Sequence, residues 1–138
     1  MGPTSKLLSA TAGIAAALAL AAAGGASVLA AVQPGLWEIT GAPGARGPLR
    51  ECIADITSLA RFEHRANKCS VKVLKEGGGS IQIDYNCPGT GFGESQIDVL
   101  TPRSLRISTQ GISGGLPFNY VLQAHRLDDC TSAVLLRH

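Results

Sequence analysis

The chain has 138 residues, 12 Lys and Arg against 10 Asp and Glu, and a formal net charge of +2. That length suits one domain rather than two. So small a charge supplies no field for nucleic acid or an anionic membrane. Aromatic residues are too few, one Trp, two Tyr and three Phe, for a base-stacking surface.

The first thirty residues read as a secretory signal peptide. Lys6 supplies the positive start, and an Ala/Leu/Ile run follows to Ala23. Gly24-Gly25 breaks the run, and Val28-Leu29-Ala30 offers small residues before a cleavage point near Ala30. The run is also about long enough to span a bilayer, so an uncleaved N-terminal anchor is the alternative. No cysteine precedes Cys52, which excludes a lipoprotein-type cleavage site. The expected division is 1–30 signal peptide, 31–130 one β domain and 131–138 a C-terminal tail. An exported, periplasmic or secreted, monomeric protein with no membrane span after cleavage follows.

Pro34-Gly35 opens the first ordered element, and Leu36–Thr40 alternates with Trp37 and Ile39 on one face. Trp37 is the expected core anchor. Gly41–Gly44 is a turn, and 47–52 a second strand with Pro48 near its start. From Ile53 to Ala66 the apolar spacing becomes helical, and Asp55 or Thr57 is placed to cap a short helix. Arg61, Glu63, His64 and Arg65 would be its solvated end.

A hairpin follows. Residues 70–75 alternate with Val71 and Val73 inward, Gly77–Gly79 make the turn, and Ile81, Ile83 and Tyr85 face the core from the return strand. The triple glycine precedes a strand and lacks Lys-Ser/Thr, so it is not a phosphate loop. Residues 87–93 form a turn, and 94–100, with Ile97 and Val99 inward, the next strand. Residues 105–109 return, 111–117 turn again, and 118–124 alternate with Phe118, Tyr120, Leu122 and Ala124 on one face. The sum is a mainly β domain: an antiparallel meander of about seven strands forming a curved sheet or partly open barrel, with one short helix and two disulfides. Trp37, Ile83, Tyr85, Phe118 and Tyr120 are its expected structural core.

Cys52, Cys69, Cys87 and Cys130 are separated by 16, 17 and 42 residues with no CxxC pair, which argues against zinc and thiol redox chemistry. Two disulfides are the reading for an exported chain. Of three connectivities, Cys52–Cys69 with Cys87–Cys130 is favoured, the first closing a loop around the helix.

The segments Pro34-Gly35-Leu36-Trp37-Glu38, Arg50-Glu51-Cys52-Ile53, Tyr85-Asn86-Cys87-Pro88 and Arg126-Leu127-Asp128-Asp129-Cys130 occur in that order. In this the chain resembles the bacterial domain-of-unknown-function 3617 family of exported proteins. The resemblance covers about residues 34–130 and departs at Asp128, where family members often have glycine. It implies an envelope location, a disulfide-linked β domain and no assigned activity.

No catalytic, metal-binding or cofactor-binding residue is assigned. His64, His125, Glu94, Asp98, Asp128 and Asp129 are the groups a hydrolase would use, but no nucleophile motif accompanies them, and neighbours on a strand point to opposite faces. The expected function is non-catalytic: a small binding or interaction module of the cell envelope whose partner is an unknown envelope protein or a small apolar ligand. The alternatives are a lipocalin-like carrier of such a ligand and, behind it, a hydrolase.

Overall fold

Period-2 alternation over most of residues 35–128 dictates strands, and short glycine turns make neighbours antiparallel. A computed structural model describes residues 27–131, together with Gly2 and Gly13. The other residues before 27, on which the expected signal peptide falls, and those beyond Thr131, the expected tail, lie outside the described residues. The seven strands are β1 (Gly35–Thr40), β2 (Leu49–Ile53), β3 (Ser70–Gly77), β4 (Ser80–Cys87), β5 (Gly91–Thr101), β6 (Ser104–Ser113) and β7 (Leu116–Asp128). They form one open antiparallel sheet in the order β2-β1-β7-β6-β5-β4-β3.

The sheet is a meander only from β3 to β7. β1 pairs with β2 and with the last strand, β7, so β2 and β3 stand at opposite edges. Because these two edges do not pair, the described strands form a curved sheet rather than a barrel. The segment that joins them, Ile56–His64, crosses the inner face and packs on β4, β5 and β6. The expected short helix is present here as a 3₁₀ segment, with non-helical dihedrals at Arg61. Asp55 caps it, accepting a 2.9 Å hydrogen bond from the Thr57 amide.

Between this segment and the sheet lies the core. Trp37, Ile39, Ile83, Ile97, Ile107 and Leu122 are essentially inaccessible, and Ile56, Leu59, Ala60 and Phe62 cover them. Full burial of each large aliphatic side chain contributes about 1.5–3 kcal/mol. Ile81, Ile97, Ile107 and Leu122 form one rung across four strands. Val32 is also buried, and Trp37 donates its indole N–H to the Gln33 carbonyl at 3.2 Å. No described helix is long and apolar enough to cross a membrane.

Several expectations need correction. Val71 and Val73 are exposed, at 44% and 50%, although they pair in register with the core-facing Tyr85 and Ile83. The 3₁₀ segment covers β4 to β6 and leaves edge strand β3 bare. His64 is buried instead of solvated. The glycine-rich turns are shorter than read, since β5 begins at Gly91 and β6 runs to Ser113.

The disulfide pairing also differs. Cys52 bonds Cys130, and Cys69 bonds Cys87. The register explains the second: Ser70 lies opposite Asn86 and Val71 opposite Tyr85, so the next rung outward joins 69 to 87, with Cα atoms 4.1 Å apart. For the first, Leu36 faces Cys52 on one side and Asp128 on the other, so the chain leaving β7 passes close to β2.

Candidate functional site

Beyond the aliphatic rungs, towards the β6–β7 turn, the sheet's character changes. The inner-face rungs become Ile83–Ser95–Thr109–Tyr120 and then Tyr85–Gly93–Gly111–Phe118. Polar groups here are buried, so each must find partners. The Ser95 hydroxyl donates to the Ala60 carbonyl and shares a 2.7 Å hydrogen bond with the Thr109 hydroxyl. The Tyr120 hydroxyl donates to the Glu63 carboxylate at 2.9 Å. His64 places Nδ1 3.2 Å from the Tyr85 hydroxyl, while its buried Nε2 has no partner.

These contacts govern the tyrosines. Burial pushes the Tyr85 phenol up to about 12, against the hydrogen bond with Thr109, which lowers it, and with a small upward contribution from the Glu63 charge. Burial, then the hydrogen bond to Glu63, raises the Tyr120 phenol further still. Glycine is required beneath these rings. A Cβ on Gly93 would stand 2.5 Å from the Tyr85 hydroxyl oxygen, and one on Gly91 2.7 Å from His64 Nε2. Phe118 and Tyr120, expected in the core, are half-buried at its open end.

The opposite face of the same strands carries a groove of about 1070 Å³. Two outward rungs form its walls. One is polar: Lys72, Asp84, Glu94, Gln110 and Asn119, each opposite the next on β3 to β7. The other is more apolar: Ser70, Asn86, Phe92, Ile112 and Pro117. The row between them, Tyr85, Gly93, Gly111 and Phe118, sends its side chains to the inner face and so supplies the floor. Five strands at about 4.8 Å spacing make the groove about 19 Å long. Phe92 is 53% exposed here, and Leu116, at the β7 start next to the groove residue Pro117, is 71% exposed. The inner rings of Tyr85, Phe118 and Tyr120 therefore underpin the floor from behind.

The groups a hydrolase would use do not converge. His64 is on the inner face, whereas Glu94 lines the outer groove and accepts from the Gln82 amide. Asp98 accepts from Ser80 and Gln96, and the Ser80 hydrogen bond leads in holding its carboxyl below the usual value. His125 lies 3.1 Å from the Ser104 hydroxyl at an exposed position. Asp129 pairs with the buried Arg126, and Asp128 accepts from the Asp129 amide. Among the described residues no three His, Cys, Asp or Glu side chains gather as a metal site.

Local sequence pattern does not show the groove, because Phe92 lies in a glycine-rich stretch that reads as a turn. The available signal was outward alternation: Asp84, Glu94, Gln110 and Asn119 fall on one register row once the hairpins are aligned. No curated protein and no solved structure matches the chain. The sequence profile of one family does, over residues 32–130, and its description is "Protein of unknown function (DUF3617)". The match spans most of the chain and nearly all of the described sheet, and the chain therefore belongs to the DUF3617 family.

Proposed function

We propose that this is an exported, non-catalytic binding module of the cell envelope, and that it engages its partner through the groove on the outer face of the sheet. One observation carries the reading: a groove of about 1070 Å³ that keeps a large aromatic residue, Phe92, half in solvent where the core does not use it. Ligand sites are concave, combine apolar surface with a few polar groups and are largely preformed. Two disulfides among four cysteines suit an oxidising compartment. Trp37, Tyr85 and the 3₁₀ segment fill the core face, and the sheet is open, which supports the outer face over a lipocalin-like interior as the binding surface.

Native mass measurement of the protein recovered from an envelope extract tests this. The expected result is added mass that leaves on denaturation and is missing from the Phe92→Asp variant. A bare native mass for the unaltered protein, or added mass that Phe92→Asp retains, overturns the groove as the binding site.

A further inference from the structure

We infer that the groove takes a short neutral oligosaccharide, laid across the strands with its ring faces on Phe92 and Ile112 and its hydroxyls along Asp84, Gln110 and Asn119. This rests on the groove being the binding site, and it adds the ligand class. Residues two apart on a strand are about 7 Å apart, so the polar and apolar rungs flank one narrow track. Over β5 to β7, where Phe92, Ile112 and Pro117 stand, an occupant must present an apolar surface and a polar edge within that width, while over β3 and β4 both rungs are polar.

Charge and chemistry narrow the choice. Lys72 stands opposite Asp84 in register, the groove's other carboxylate, Glu94, accepts from the Gln82 amide, and no second described cation lines the groove. An anion would find no set of positive donors. A lipid chain would lie along a polar rung for the full length of the site and strand those groups without partners. An extended peptide gains affinity by pairing along a free strand edge, but such edges lie only at the two ends of the groove, on β3 and on β7 before Gln123, while the main-chain groups of β4 to β6 along the floor already pair with neighbours. A sugar ring meets both demands. Its C–H faces pack on an exposed aromatic ring, and its hydroxyls both donate and accept. Gln110 and Asn119, both exposed, offer an N–H₂ donor and a carbonyl acceptor each, and Asp84 offers acceptors alone. The groove crosses about 19 Å of sheet, which is room for a chain of several rings rather than a monosaccharide.

Titration of the oxidised, ¹⁵N-labelled protein with tri-N-acetylchitotriose and, separately, cellotriose tests the inference by NMR. With at least one of them, saturable amide shifts centred on Phe92, Gln110, Ile112 and Asn119 are expected. Phe92→Ala and Asn119→Ala should each weaken that binding by about tenfold or more. Both side chains are at least half exposed or solvent-facing, so the melting temperature of each variant should stay near that of the parent. Absence of saturable shifts at millimolar sugar, shifts mapping away from the groove, or binding indifferent to Phe92→Ala overturns the inference. If the sugars fail while the native mass still carries a Phe92-dependent ligand, the ligand class is wrong and the groove stands. If both fail, both readings fall.

Discussion

His64 and Tyr85 meet across the inner face, Nδ1 to phenol oxygen at 3.2 Å, with their rings edge to face at centroids 5.5 Å apart. The contact fixes the Tyr85 ring over Gly93, and Gly93 is part of the groove floor on the other side of the sheet. The 3₁₀ segment thus braces the groove from behind. Gly93→Ala tests this. The new methyl group would overlap the Tyr85 ring, which is buried and held by His64, and overpacking of this kind costs about 1–3 kcal/mol. Urea unfolding should show that loss for Gly93→Ala. Gly47→Ala, where a Cβ meets nothing within 4 Å, should change little.

The tyrosines make a prediction about alkaline pH. The chain has only two, and burial raises both phenols, Tyr85 to about 12. A raised folded-state value means that the folded protein holds the proton longer than the unfolded chain. Stability from these groups is intact below pH 10 and falls as pH rises from 10 towards 12. Phenolate absorbance of the native protein at pH 10.5 should therefore be nearly absent and should appear together with loss of Trp37 burial. Half-maximal ionisation near pH 10 with the fold intact would contradict the burial described for the two rings.

The two disulfides should be unequal. Cys52–Cys130 spans 78 residues and Cys69–Cys87 spans 18. On chain-entropy grounds removal of the first costs about 4–5 kcal/mol and of the second about 3 kcal/mol. Paired Cys→Ala variants, unfolded in urea, should rank in that order. Proteolysis without reduction should release peptides joined as 52 with 130 and 69 with 87.

The processing point bears on the core. Cleavage near Ala30 would fall within the turn at residues 28–31. Leu29 packs against the core there, and the Val28 amide donates to the Glu76 carboxylate at 2.6 Å. A chain that starts at Ala31 gives up these contacts and should be less stable than one starting at Ser27 by about 1–2 kcal/mol, the value of one partly buried aliphatic side chain. Gly24 and Ala26 also satisfy the small-residue rule. If the chain is exported and cleaved, these contacts favour a start at Ser27 over one at Ala31, and intact mass decides between the two starts.

Strand positions were legible because Trp37, Ile83, Ile97 and Leu122 alternate with polar neighbours, and each faces the core. The Cys69–Cys87 bond was legible too, had the hairpin register been carried outward from its glycine turn. What local pattern did not contain was the long-range pairing of β1 with β7, which sends the 3₁₀ segment across the sheet. Burial of His64 follows from that crossing, as do the bare valines of β3. The groove was hidden for a related reason. Phe92 looks like a turn residue until Gly91 and Gly93 are seen to be in the ladder, and the polar rung exists only when four strands are aligned.

The proposed role requires the outer groove to meet a partner. A photo-crosslinking residue placed at Asn86, an exposed position in the groove that takes no part in the proposed ligand contacts, and at Arg46 in the β1–β2 loop as a reference, tests this in living cells. A discrete adduct is expected at 86 that disappears with Phe92→Asp and has no counterpart at 46. The same adduct at both positions, or none at 86, would overturn the groove as the contact surface.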